Sequence, residues 1–236
     1  MKTLLTSLLF AISVQFYAQN NCYSGDCENG FGSYQYDNGF YEGFWENGIK
    51  KGYGIFNWDD DGNYQGQWNN NTMEGVGTYE IEGNLMFGTW VNGNLNGEGF
   101  KQFENGEMEY GIFKDGTLVI PHHLDETFEL TGCVAGNCED GFGVYIFENE
   151  DSYIGFFKDG HLKMGVFMFT NQDTYVGLFN QNNQFDRFGI YNYANGDFYG
   201  GDFSNGRFHG KGYFTYANNT FRAEIGTWKD GNLVKD

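Results

Sequence analysis

A short phrase recurs eight times along these 236 residues: an aromatic or apolar residue, a glycine two positions on, and an aromatic two positions after that. It reads Tyr41-x-Gly43-x-Trp45, Tyr64-x-Gly66-x-Trp68, Met86-x-Gly88-x-Trp90 and, with an acid leading, Glu109-x-Gly111-x-Phe113. It returns as Tyr153-x-Gly155-x-Phe157, Tyr175-x-Gly177-x-Phe179, Tyr199-x-Gly201-x-Phe203 and Glu224-x-Gly226-x-Trp228. Within each set the closing aromatics lie 22 to 25 residues apart. A fixed period of that size predicts a stacked array, each unit burying its faces against its neighbours. Such arrays extend a binding surface more readily than they enclose a catalytic pocket.

One unit explains the phrase. Along a strand side chains alternate between faces, so Gly52, Gly54, Phe56 and Trp58 share one face, and Tyr64, Gly66 and Trp68 share a face of the next strand. Between them Asp59-Asp60-Asp61-Gly62-Asn63 is hairpin-turn chemistry. Rings alternating with glycines predict that each ring lies over the bare backbone of a neighbouring strand, restoring packing that glycine would forfeit. Second glycine pairs keep the same frame at Gly75/Gly77, Gly97/Gly99, Gly210/Gly212, Gly30/Gly32 and Gly141/Gly143. The frame lapses at Arg187-x-Gly189, at Met164-Gly165 and at Lys101, where local irregularities of the sheet or foreign contacts are expected.

The cysteines divide the chain. Cys22 and Cys27, followed by Glu-Asn-Gly-Phe-Gly, return as Cys133 and Cys138, followed by Glu-Asp-Gly-Phe-Gly. The repetition predicts a tandem duplication: a leader over residues 1–18, a first half-array over 19–116, a linker over 117–131 and a second half-array over 132–236. Pro121, the only proline, marks a break or an edge, since it cannot donate to a ladder. In an oxidising compartment the natural pairs are Cys22–Cys27 and Cys133–Cys138, each stabilising by about 2 kcal/mol at most. A four-cysteine zinc site is the alternative.

The strings Tyr64-x-Gly66-x-Trp68, Gly75-x-Gly77-x-Tyr79 and Gly43-x-Trp45, Gly48, Gly52-x-Gly54 resemble the MORN repeat (membrane occupation and recognition nexus). The resemblance covers residues 22–116 and 132–236. It implies an all-β protein, an elongated twisted antiparallel sheet of stacked β-hairpins in two tandem halves. It also implies roles in scaffolding, dimerisation or membrane association.

Lys2 followed by the apolar run Leu4 to Leu9 and on to Val14, with Ala18 as the cleavage position, reads as a secretory leader. No later stretch is long and apolar enough to predict a membrane helix. The mature chain is therefore expected outside the cytoplasm, secreted or periplasmic. A net charge of −19 repels nucleic acid and anionic lipid, favouring cations or basic partners or simply solvating the loops. Aromatics at 20% of the chain exclude disorder.

The face opposite the glycines separates the halves. In the first half it shows Glu42, Phe44, Gln65, Gln67, Thr78 and Glu80, which reads as polar and wet. In the second it shows Phe142, Val144, Ile146, Ile154, Phe156, Val166, Met168, Val176, Leu178 and Ile190. That apolar stripe must be covered by the chain itself or contact another molecule. Asn57-x-Asp59-x-Asp61-Gly62 opens like a calcium loop, but Trp68 stands where the bidentate glutamate belongs. His122, His123, His161 and His209 make no ligand or catalytic pattern, and no nucleophile elbow or phosphate loop occurs. No cofactor and no catalysis are expected. The sequence points to an exported scaffold for a protein partner or for self-association through an open sheet face. Tyr and Trp platforms for glycans, and lipid association, are the alternatives.

Overall fold

The computed structural model describes residues 21–123, 130–217 and 219–234, so the leader reading lies outside it. It is all-β, with two separate ten-stranded antiparallel meanders. The first holds β1 (Cys22–Gly25), β2 (Phe31–Tyr36), β3 (Gly39–Glu46), β4 (Ile49–Trp58), β5 (Asn63–Asn69), β6 (Thr72–Ile81), β7 (Asn84–Val91), β8 (Asn94–Gln102), β9 (Met108–Lys114) and β10 (Thr117–Pro121). The second holds β11 (Gly132–Gly136), β12 (Gly141–Ile146), β13 (Ser152–Lys158), β14 (His161–Met168), β15 (Thr174–Phe179), β16 (Phe185–Asn192), β17 (Phe198–Ser204), β18 (Arg207–Tyr216), β19 (Asn219–Lys229) and β20 (Asn232–Leu233). The expected linker thus begins as an edge strand: β10 pairs with β9, and Pro121 sits opposite Gly111, where an edge tolerates its missing N–H.

Register explains the repeat. Gly32, Gly43, Gly54, Gly66, Gly77, Gly88, Gly99 and Gly111 face one another strand by strand, drawing one glycine seam across the first sheet. A matching seam runs from Gly143 through Gly155, Gly165, Gly177, Gly189, Gly201 and Gly212 to Gly226. Tyr41 lies over Gly43 and Gly54, Tyr64 over Gly66 and Gly77, and Tyr153, Tyr175 and Tyr199 do the same in the second sheet. Where Met86 replaces the tyrosine, Leu95 covers Gly88 and Gly99 from the next strand. At the start of each array a disulfide does this work: Cys22–Cys27 and Cys133–Cys138 are formed, and Cys27 Sγ and Cys138 Sγ rest against Gly32 and Gly143.

Just past the seam the ladder slips, between Gly43 and Trp45 and again between Gly66 and Trp68. The slip is a bulge whose extra residues include Gly52 and Gly75, at φ 93° and 76°. The bulged carbonyl is not wasted. Tyr41 Oη donates to Phe44 O at 3.2 Å and Tyr64 Oη to Gln67 O at 3.0 Å. Arg187, at one of the sequence lapses, is held at φ 56° where other repeats place glycine. At Met164 the deletion shortens the bulge instead.

The two sheets stack face to face, their strand orders running in opposite senses. Phe31 meets Tyr213, Tyr53 meets Phe188, and Phe100 meets Phe142, with ring centroids 4.8, 5.7 and 5.9 Å apart. Tyr53 rests directly on the backbone of Gly200. Lys163 Nζ reaches Glu98 at 2.7 Å across the gap. The connection also packs inward, His122 Nδ1 accepting the Phe142 N–H at 3.2 Å.

Candidate interaction surface

The apolar stripe of the second half is covered by the first half. Phe142, Phe156 and Ile190 are 1%, 0% and 2% exposed, and join Phe44, Tyr53, Val76, Phe87 and Phe100 in one cluster between the sheets. Ile154, Val166, Val176 and Leu178 pack against that cluster, and Val144 and Ile146 are half-buried. Only Met168, 40% exposed, stands clear. An open interaction face at these residues is therefore not what the fold presents, because a sheet with two apolar faces has buried one against its duplicate. The first half's opposing face is correspondingly not wet. Tyr53, Val76, Phe87 and Phe100 supply its apolar surface, and burial pushes the Glu42 carboxyl up. Tyr53 and Val76 are the middle residues of Gly-x-Gly and Phe100 follows one, so reading the positions beside the glycines as a set is the signal that finds them.

What remains open is the outer face of each sheet. Its first row is the repeat framework, and it is buried. Trp45, Trp68 and Trp90 are 5%, 4% and 3% exposed. Their indole N–H groups donate to Gly32, Gly54 and Gly77 carbonyls at 2.9–3.0 Å. That geometry removes these three indoles as flat platforms for a sugar. Phe113, Phe157, Phe179, Phe203 and Trp228 hold the equivalent places, all buried.

A second row of rings is half-buried and closes no core of its own. On the second sheet Tyr145, Phe147, Phe167, Phe169, Tyr191, Tyr193, Phe214 and Tyr216 touch in sequence, with centroids 4.6–5.9 Å apart. On the first sheet Tyr34, Tyr36, Trp58 and Tyr79 form a shorter run, joined through the buried Phe56. The turns beside this row contain acids and no lysine or arginine: Asp37, Asp59 to Asp61, Glu82, Glu104, Glu107, Glu148, Glu150, Asp151, Asp173 and Asp197. The turn at Asp59 to Asp61 closes as a plain hairpin, Trp58 N donating to Gly62 O at 2.8 Å. Among the described residues no group of three or more metal-ligating side chains gathers.

Three of these acids also bind the repeats together. Asp151, Asp173 and Asp197 each accept a backbone N–H from the next turn, from Thr170, Ala194 and Ala217, at 2.8–2.9 Å. Burial pushes the Asp173 carboxyl upward. The Ala194 N–H and the Tyr191 hydroxyl, which donates at 2.8 Å, outweigh it and hold the group below the usual aspartate range.

One lysine interrupts the pattern. Opposite each closing aromatic the partner strand places Met73, Leu95, Leu118, Leu162, Phe185, Phe208 or Leu233, but opposite Trp45 it places Lys50. Lys50 Nζ sits 4.5, 4.6, 4.7 and 5.3 Å from the ring centroids of Trp68, Phe56, Tyr36 and Tyr41. Burial lowers its pKa to about 8. The folded state therefore releases this proton before the unfolded state does, and stability rises with pH between about 8 and the free lysine value. A Lys50→Met chain, carrying the residue found at Met73, is expected to gain about 2 kcal/mol at pH 7. The gap should close as pH rises through that window, as read from urea unfolding of both chains. A less stable variant at pH 7 would mean that the rings return more than desolvation removes.

A family profile described as MORN repeat matches residues 41–62, 64–82, 87–108, 139–152, 175–198 and 199–221, together more than half of the chain. No curated protein matches. Among solved structures, the SAS-4 (dCPAP) TCP domain of Drosophila melanogaster, in complex with a proline-rich motif of Ana2 (dSTIL), is similar at 11% identity over 75% of this chain and 84% of that one. Its TM-score of 0.25 is too low to carry an argument.

Proposed function

The chain belongs to the MORN repeat family, and on that premise we propose that it is a non-catalytic scaffold working outside the cytoplasm, holding a protein partner on the outer aromatic faces of its two sheets. Scaffolding of protein or membrane contacts is the role its repeats suggest. The finer reading rests on one observation: the inner faces are consumed by each other, so the half-buried ring rows are the apolar surface left for something else. Protein is favoured over an anionic membrane because the flanking turns carry ten or more acids and no lysine or arginine. Export is supported by the leader-like start and by two disulfides, which persist in oxidising compartments. Among the described residues no helix is long and apolar enough to cross a membrane.

A photo-crosslinking residue placed at Trp58 or at Tyr193, beside the acidic turns, is expected to capture a defined protein in the native compartment. The same residue at Asn70, in a turn at the other end of the strands, should not. Equal capture from all three positions, or none from any, would sink the reading.

A further inference from the structure

The ring row of the second sheet has a period of its own. Phe147, Phe169, Tyr193 and Tyr216 lie at or just past the ends of β12, β14, β16 and β18, which are alternate strands. Adjacent strands are about 4.8 Å apart, so these rungs repeat at about 9.6 Å. An extended or polyproline-type chain advances about the same distance in three residues. Behind the rungs stand Glu148, Glu150, Asp151 and Asp197, with Asp173 buried and committed to Ala194 and Tyr191, and no ion pair among the described residues uses any of them. Lys158, Arg207 and Lys229 stand at the opposite ends of their strands. Rings with a negative rim suit an ammonium or guanidinium, which meets a π face and a carboxylate together.

The chain itself shows such a group among such rings. Lys50 Nζ lies 4.5–4.7 Å from three centroids on the first sheet. Lys50 loses water by being buried, which is why it is costly there. A cation arriving on the half-exposed second row keeps part of its hydration and gains the acids.

We propose that the outer face of the second sheet docks an extended protein segment bearing lysine or arginine at every third residue, one basic side chain per rung of Phe147, Phe169, Tyr193 and Tyr216. The segment runs across the strands, its charges toward the acidic turns. This rests on the protein-binding reading of the outer faces and adds the chemistry and spacing of the partner.

The test uses the full chain with its disulfides formed and two serine peptides of equal composition, one with lysine at every third position and one with its lysines contiguous. Calorimetry is expected to show the spaced peptide binding about tenfold more tightly, with affinity falling as salt rises. Phe169→Ala with Tyr193→Ala should weaken it about tenfold, and Phe169→Tyr with Tyr193→Phe should restore it. If the alanine pair unfolds, Glu148→Gln with Glu150→Gln, both exposed, gives the same readout and a shallower salt dependence. Equal binding of the two peptides, or undiminished binding by folded ring or acid variants, overturns the proposal. Should Tyr193 capture a partner lacking such a segment, the broader reading survives and this one does not.

Discussion

A Phe142→Ala chain is expected to lose about 4 kcal/mol of stability and to stop melting as one unit. Phe142 is 1% exposed and touches rings of both sheets: Tyr110 at 4.7 Å, Phe100 at 5.9 Å and Phe156 at 5.2 Å between centroids. Every strand pairs only with its neighbours in sequence, and each sheet has its own outer cluster. The layer between the sheets is therefore what couples the two arrays. Opening it should leave both meanders hydrogen-bonded while Phe156 and Ile190 meet water. The expected signature is retained far-UV dichroism, binding of a hydrophobic dye, two thermal transitions and concentration-dependent association. A single transition at the parent's midpoint would show that the inner faces do not depend on each other.

Much of this fold could be read from the sequence, because the physics that fixes it is local. Alternation put Tyr64, Gly66 and Trp68 on one face, and the need to cover bare glycine put Tyr41 over Gly54. The cysteine pairs followed from their spacing and expected compartment. What alternation cannot supply is the identity of whatever lies opposite a face. Phe142 and Ile190 read as a stripe either covered by the chain or adhesive, with no choice between the two, because nothing in a strand pattern says that Tyr53 and Phe100 will meet them from 42 or more residues away. Glu42 and Gln65 diluted the first half's pattern enough to hide its apolar share. Leu118-Val119-Ile120 lacks the glycine phrase and so read as linker, although it forms an edge strand whose last residue is the proline an edge allows. The bulges were not legible because they depend on where the register slips, which appears only once strands are paired.

Gly77→Ala is the sharper test of the seam itself. Its backbone is not in the left-handed region, so alanine should by propensity alone gain about 0.5–1 kcal/mol in the strand. The structure reverses that sign. A Cβ there would stand 2.5 Å from Tyr64 Oη and 2.7 Å from its Cζ. Tyr64 is fully buried, its hydroxyl is committed to Gln67 O at 3.0 Å, and Trp68 and Trp90 stand edge-on at 5.2 and 5.4 Å. The ring cannot retreat, and the Trp90 indole simultaneously holds the Gly77 carbonyl at 2.9 Å. Overpacking of this kind costs about 3 kcal/mol, more than propensity returns. Tyr64→Leu removes the Oη and Cζ that the added methyl would strike, and Met86 shows that an aliphatic side chain can hold the tyrosine's place, so this variant should accept the methyl. The double variant is then expected to be more stable than the two single losses predict when added, with a coupling of about 1–2 kcal/mol in denaturant unfolding. Simple additivity would mean that the tyrosine does not press on the glycine seam, and that the repeating phrase has some reason other than packing.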